Sequence, residues 1–476
     1  MPLTYFPPTI TDELGRQPIE SAIERNAFSR GKEASFREAI DGVLVADLAR
    51  SFGTPLFVFS ERTLREKAKA MREAFRSRYA KSEFAWSFKT NHLDAVCQVF
   101  RSEGWIADAA SGFEYAKARR LGYAAREIVL NGPAKPRADL ERAMAEGALV
   151  QIDNWDELGL VEDIAAAAPA PVEVGLRLLV DTGIRPMWSK FGFALADGEA
   201  ERAAARVVRN RKLRLHTLHT HIGTYILLPE AYAVAARKML ALRDAIEQRH
   251  GHLVPCLNLG GGLPSVSLLH GMAGPAERAV PPVDAYADAI TAVLKALPAK
   301  RRPLLRMENG RHLVDEAGYL VTRIAAVKGS RPTLSAGGDL AGLAYKEQAL
   351  RGNEARTGYV LDAGINLLYT AAWFRIEAMP ARATNTAPTP VRLYGPLCMA
   401  IDVVREQAEL PLLETGDLLT LYPVGAYNSN QSMQFIFGRP AMAMITEQGK
   451  AELIRQAETL EDIAGLERLP GHLGTV

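Results

Sequence analysis

The sequence predicts an α/β protein: a parallel (β/α)8 barrel of the TIM type with a separate C-terminal β-domain. Between Phe84 and Arg311, short apolar, β-branched runs alternate with helical patterns, the mark of repeated βα units. Eight such runs are present, the number at which a right-handed parallel barrel closes. After about residue 325 the alternation gives way to irregular strand-like runs, which point to a second, β-rich layer.

In order, the candidate strands are 84–89 (FAWSFK), 105–110, 127–132, 149–154, 172–180, 213–223, 256–262 (CLNLGGG) and 304–310 (LLRMENG). Helical patterns separate them, among them 94–103, 114–122, 135–147 and 229–251. The runs GYLVTRIAAVK, GYVLDAGIN, VRLYGPLC, GDLLTLYPVGAY and MQFIFG form the β-domain. The boundaries expected are an N-terminal segment over 1–54, partly packed on the β-domain, a barrel over 55–325 and a β-domain over 326–476. More than one domain is also expected from length, because single cores stop growing at roughly 250–300 residues.

Composition narrows the function classes. Hydrophobic residues make up 48% and charged residues 24%, as in a globular protein able to bury a core. The 57 basic and 55 acidic residues leave a formal charge of +2 with no long block of one sign, which argues against a nucleic-acid partner. No run reaches the ~20 apolar residues of a spanning helix, and the N-terminus lacks a signal-peptide pattern, so neither membrane nor export is expected. Cys97, Cys256 and Cys398 are widely spaced and odd in number, which fits a reducing cytoplasm.

The carboxyl ends of the predicted strands carry Lys89, Asp108 with Ser111, Asn131, Asp153, Arg177, His221, three glycines and Glu308. Barrel active sites lie on that rim, where residues from different strands share a pocket. Lys89 ends an apolar strand; it is either a solvated lysine or a buried Schiff-base nucleophile. Gly260, Gly261 and Gly262 directly follow a strand, as a flexible turn or as a cup whose backbone N–H groups approach a phosphate. His219 and His221 alternate on a strand and are read as metal ligands, as a ring stacked on a flat cofactor, or as core histidines. No other predicted barrel strand ends in histidine, and no metal is expected. Glu308 and Arg311 are a surface ion pair or a site pair. Cys398, in Gly-Pro-Leu-Cys, is a buried filler or a functional thiol on a shaped loop.

Together these residues resemble the fold type III pyridoxal-phosphate decarboxylases, and within them the diaminopimelate decarboxylase group most, from about Gly53 to about Pro440. FKTN at 88–91 is similar to the cofactor-lysine motif, which implies pyridoxal 5'-phosphate held by Lys89. The HIGT run at 221–224 implies that His221 stacks on the ring and Thr224 assists at the phosphate. The three glycines match the phosphate loop, and Glu308 matches the carboxylate facing the pyridine nitrogen, which makes the ring a better electron sink. Arg311 would contact phosphate or a substrate carboxylate, and Asp108 with Ser111 fits the second-strand motif. SKFGF at 189–193 matches a further family segment, GPLC at 395–398 the catalytic-cysteine loop, and GAY at 425–427 the motif whose Tyr427 reaches the phosphate. The resemblance also implies a homodimer with shared active sites and a small amino-acid substrate.

Three departures bear on the substrate. Met399 and Ala400 follow Cys398 where the diaminopimelate group has a Glu, Asn309 replaces a proline, and Pro264 follows the glycine loop. Met399 thus becomes a candidate substrate contact. Lysine, ornithine or a conjugated amino acid of siderophore or other specialised metabolism stand beside diaminopimelate as candidates. A racemase is disfavoured by the carboxylate at the ring nitrogen, where racemases of this type place an arginine. A catalytically silent regulatory relative is disfavoured by the full set of cofactor contacts.

Overall fold

The structure, a computed structural model, describes residues 36–270, 272, 279–329 and 357–473. The chain divides into two compact units, one spanning Thr63–Asp315 and the other combining residues 36–62 with 316–473.

The first unit is the barrel. Its strands are β1 (Ser82–Ser87), β2 (Ile106–Ala109), β3 (Ile128–Leu130), β4 (Leu149–Ile152), β5 (Val172–Leu179), β6 (Leu213–His219), β7 (Cys256–Asn258) and β8 (Leu304–Asn309). Each pairs in parallel with the next, and β8 pairs with β1, so the sheet closes on itself. Helices fill the crossovers where the sequence places them, for example Asp94–Ser102 after β1 and Pro229–His250 after β6. The latter starts with Pro at its first position and ends at Gly251 in the left-handed region, the favoured order of helix start and stop. Among the described residues no helix is long and apolar enough to cross a membrane.

The second unit is a mixed sheet. Gly318–Lys328 lies at its centre, antiparallel to Leu56–Ser60, Gly358–Leu361 and Leu418–Tyr422. Ala441–Ile445 runs parallel to Leu56–Ser60. The helix Val45–Phe52 turns Val45, Leu48 and Ala49 onto a core with Leu56, Val58, Val321 and Ile445, following the i, i+3, i+4 spacing of an apolar helix face.

Both edges of the barrel therefore differ from the sequence expectation of 55 and 325. Leu56–Ser60 is buried at every position and has a strand on either side, Gly318–Lys328 and Ala441–Ile445. It belongs to the β-unit, as does Gly318–Lys328. The run MQFIFG is not a strand: Met433, Phe435, Ile436 and Phe437 are exposed there, with one isolated bridge between the two phenylalanines. The fully buried strand lies beyond it at Ala441–Ile445.

Candidate active site

Strand register builds a polar layer at the carboxyl end of the barrel. Ser87 of β1 stands opposite Asp108 of β2, and His219 of β6 stands opposite both Arg177 of β5 and Asn258 of β7. Buried polar side chains are tolerated when they satisfy one another, and here they do so around two carboxylates.

Glu308 on β8 is the first of them, 6% exposed. Its Oε1 accepts from Asn258 Nδ2 at 2.6 Å and from Asn131 Nδ2 at 3.0 Å, and its Oε2 lies 3.0 Å from His219 Nε2. Burial works to raise its pKa, but His219, Lys89 and Asn258 outweigh it and hold the carboxyl well below the usual range. Glu308 is thus a fixed negative charge inside the barrel. Replacing His219 with Phe removes the strongest of the opposing contributions and leaves only Lys89 and Asn258 named against burial. The Glu308 carboxyl, followed by carbon-13 NMR, is then expected to protonate at a pH higher by about one unit or more; an unmoved titration would contradict this account of the cradle.

Asp108 is the second. Its Oδ2 accepts from Lys89 Nζ at 2.7 Å and from Ser87 Oγ at 2.6 Å, while its Oδ1 accepts from Asn131 Nδ2 at 2.6 Å. Asn131 therefore bridges the two carboxylates. Lys89, just past β1, also donates to Ser87 Oγ at 2.6 Å. Its side chain keeps 42% of its surface, so the expectation of a buried lysine is not met. Its amine is set by the ion pair with Asp108 and stands open to the rim.

The two histidines do not share a strand face. β6 ends at His219, and the chain then turns, with Thr220 N–H donating to Asn258 O at 2.9 Å. His221 comes to rest against the glycine loop, where its Nδ1 accepts from Gly261 N–H at 3.0 Å. A backbone N–H can only donate, so Nδ1 carries no proton. Burial and the charges of Lys89 and Arg177 push its pKa well below the ordinary value. The ring is a neutral imidazole, in a T-shaped contact with Trp188 whose ring centroid lies 5.3 Å away.

The three glycines are not equivalent. Gly260 N–H donates to Asn258 Oδ1 at 3.0 Å and Gly261 N–H to His221, whereas Gly262 N–H has no protein acceptor among the described residues. Gly260 and Gly262 take φ of +65° and +96°, conformations open to glycine at little cost. At Gly261 a Cβ would overlap the carbonyl oxygen of Glu308. Gly261→Ala is accordingly expected to destabilise the barrel by about 1–3 kcal/mol, read from denaturant unfolding.

The remaining expected residues fall as follows. Ser111 Oγ accepts from Glu114 N at 3.2 Å and caps the helix Gly112–Arg120. Thr224 is half-buried in the loop after His221. Arg311 Nη1 lies 3.4 Å from Asp315 Oδ2, which also accepts from Ser265 Oγ and Ser267 Oγ at 2.6 Å each. Cys398, Met399 and Tyr427 lie in the β-unit; Cys398 is exposed and Tyr427 adopts φ +67°. Asn258 and the contact of His219 with Glu308 escaped sequence reasoning. Both residues sit in runs predicted as strands, 213–223 and 256–262, and each is a polar side chain on the last residue of an apolar barrel strand.

The family model described as pyridoxal-dependent decarboxylase, pyridoxal binding domain, matches residues 61–315. The chain is 30% identical to diaminopimelate decarboxylase of Actinosynnema pretiosum, over 95% of each chain. It is 28% identical to that of Bacillus subtilis, over 90% of this chain and 94% of the relative. The crystal structure of diaminopimelate decarboxylase from M. jannaschii superposes with a TM-score of 0.79 at 26% identity, covering 93% of this chain and 98% of that one.

The residues present fit the cofactor that this family binds. The rim offers a primary amine for an aldehyde, a buried ionised carboxylate for a protonated ring nitrogen, a neutral imidazole for a ring face and a glycine N–H for a phosphate oxygen. The chain belongs to the pyridoxal-dependent decarboxylase family, and is a pyridoxal-phosphate-dependent amino-acid decarboxylase of the kind that includes the diaminopimelate and ornithine enzymes.

Proposed function

We propose that the chain removes the α-carboxylate of an amino acid at the rim built by Lys89, Asp108, His221 and Glu308. The observation that carries this reading is the hydrogen-bonded line from Lys89 through Asp108 and Asn131 to Glu308. It sets an amine and a fixed negative charge in one pocket. Bound pyridoxal phosphate supplies the electron sink for the pair left on Cα when the carboxylate departs as CO2.

The chain's own residues do the rest. Lys89 Nζ is the amine that holds the cofactor, and Asp108 with Ser87 keeps that amine oriented whenever it is released. Glu308 would favour a proton on the ring nitrogen, with His219, Asn131 and Asn258 fixing its position. His221, neutral and pinned by Gly261, limits motion of the ring. Gly262, Thr224, Arg311 and Tyr427 would hold the phosphate, Asp108 with Ser111 supports the cofactor side of the second strand, and Arg311 is also placed to meet a substrate carboxylate. Cys398 Sγ–H or Lys89 Nζ–H returns a proton to Cα. The working form is a homodimer in which the loop carrying Cys398 completes the site, in a reducing compartment that keeps the three cysteines as thiols.

The relatives favour a diamino-acid substrate of the diaminopimelate type. The Met399–Ala400 pair favours a second reading, because it stands where the diaminopimelate group has a Glu and so changes what meets the distal end of the substrate. On that reading the substrate is lysine, ornithine or a conjugated amino acid, with Met399 against its distal part. A panel of D- and L-amino acids labelled with carbon-13 at C1, including diaminopimelate and citryl conjugates, separates them. Labelled CO2 from one member is expected. Exchange of the α-proton without CO2 from any member would indicate racemisation and sink the proposal.

A further inference from the structure

Within the β-unit, the loop that presents Cys398 is built around one buried carboxylate. Asp402 is 3% exposed. Its Oδ2 accepts from Leu397 N–H at 2.7 Å and its Oδ1 from Ile365 N–H at 2.9 Å. Its own backbone closes the same loop: Asp402 N–H donates to Met399 O at 3.1 Å, and Asp402 O accepts from Gly395 N–H at 3.0 Å. Residues 395–402 therefore form a ring of chain tied at its base by side chain and backbone together. Leu397 is turned in and Cys398 out.

Two glycines make room for this carboxylate. A Cβ at Gly364 would stand 2.6 Å from Asp402 Oδ1, and one at Gly395 would fall on the same group. The turn at 364–365 and the loop at 395–398 are thus joined through a charge-assisted pair of N–H bonds, which are about twice as strong as neutral ones.

We propose that Asp402 is the positioning residue of Cys398: its carboxylate ties the Gly395–Cys398 loop to the turn at Gly364–Ile365 and so fixes where the thiol is presented. This rests on the reading of Cys398 as a proton donor. Without the carboxylate, Leu397 N–H and Ile365 N–H lose their common acceptor and the two segments part. Asp402→Asn is the milder lesion, since its amide oxygen can serve one N–H while its NH2 group faces the other donor.

Hydrogen exchange on the cofactor-loaded protein tests the anchor directly. In Asp402→Ala, peptides spanning 362–368 and 395–402 are expected to exchange faster together, with Asp402→Asn intermediate and the strand Leu56–Ser60 unchanged. Asp402→Asn also serves if the alanine variant does not fold. Wild-type exchange in both segments would overturn the proposal. Turnover of the substrate that releases CO2 tests the consequence. Asp402→Ala is expected to lower kcat about tenfold or more with little change in KM, and to cause no further loss in a Cys398→Ala background. An equal loss in both backgrounds would show that Asp402 does not act through Cys398. If Cys398→Ala itself turned over like wild type, the proton-donor reading would fail, and exchange alone would decide whether Asp402 anchors the loop.

Discussion

Replacing Lys89 with Ala is expected to abolish turnover and the visible absorption band of the bound cofactor. Lys89 Nζ stands at the end of β1 with Asp108 and Ser87 as its partners. Along the line of hydrogen bonds that leads to Glu308 it is the only amine. The second amine close by, Lys135, is buried and committed to Gly132 O, Gln151 O and Glu157. Lys135 is thus not placed to take over the attachment. Spectra of the reconstituted variant provide the check, and a wild-type band would remove Lys89 from its role. The fold is expected to survive, because the side chain is part-exposed and Asp108 keeps the hydrogen bonds from Ser87 and Asn131.

Glu308→Gln carries the second large effect, a fall in kcat of about 10²–10³ with the cofactor still bound. The amide cannot supply the negative charge that favours a protonated ring nitrogen. Its oxygen will turn toward the two donors, Asn131 and Asn258, which places its NH2 group against His219 Nε2. His219 must then move its proton to Nδ1, a buried atom with no partner among the described residues. An unsatisfied buried donor costs about 1–3 kcal/mol, so denaturant unfolding should register the substitution as well. Unchanged kcat would mean that Glu308 does not face the ring nitrogen.

The barrel was legible because its evidence is local. Each strand is a short apolar run, each crossover has helical spacing, and closure follows from their number. The edges were not, because Leu56–Ser60 finds its neighbours more than two hundred residues away, and no local pattern records such a pairing. Ala441–Ile445 was missed for want of β-branched residues before its last position, while MQFIFG misled because an apolar run need not be buried. In the site, Lys89, Glu308 and the glycines stood out as residue types unusual at strand ends. Asn131 and His219 stood out as well, but their contacts with Glu308, and Asn258 altogether, did not, since these depend on register around a closed sheet. Ser111 shows the reverse: Ser-x-x-Glu at 111–114 is a helix-start pattern, and the structure uses it as one.

Borohydride reduction of the cofactor-loaded protein, followed by peptide mapping, tests the central claim most directly. The account predicts one pyridoxyl-phosphate label per chain, on the peptide containing Phe88, Lys89 and Thr90. A label on any other lysine, or none on a protein that still releases CO2, would contradict it.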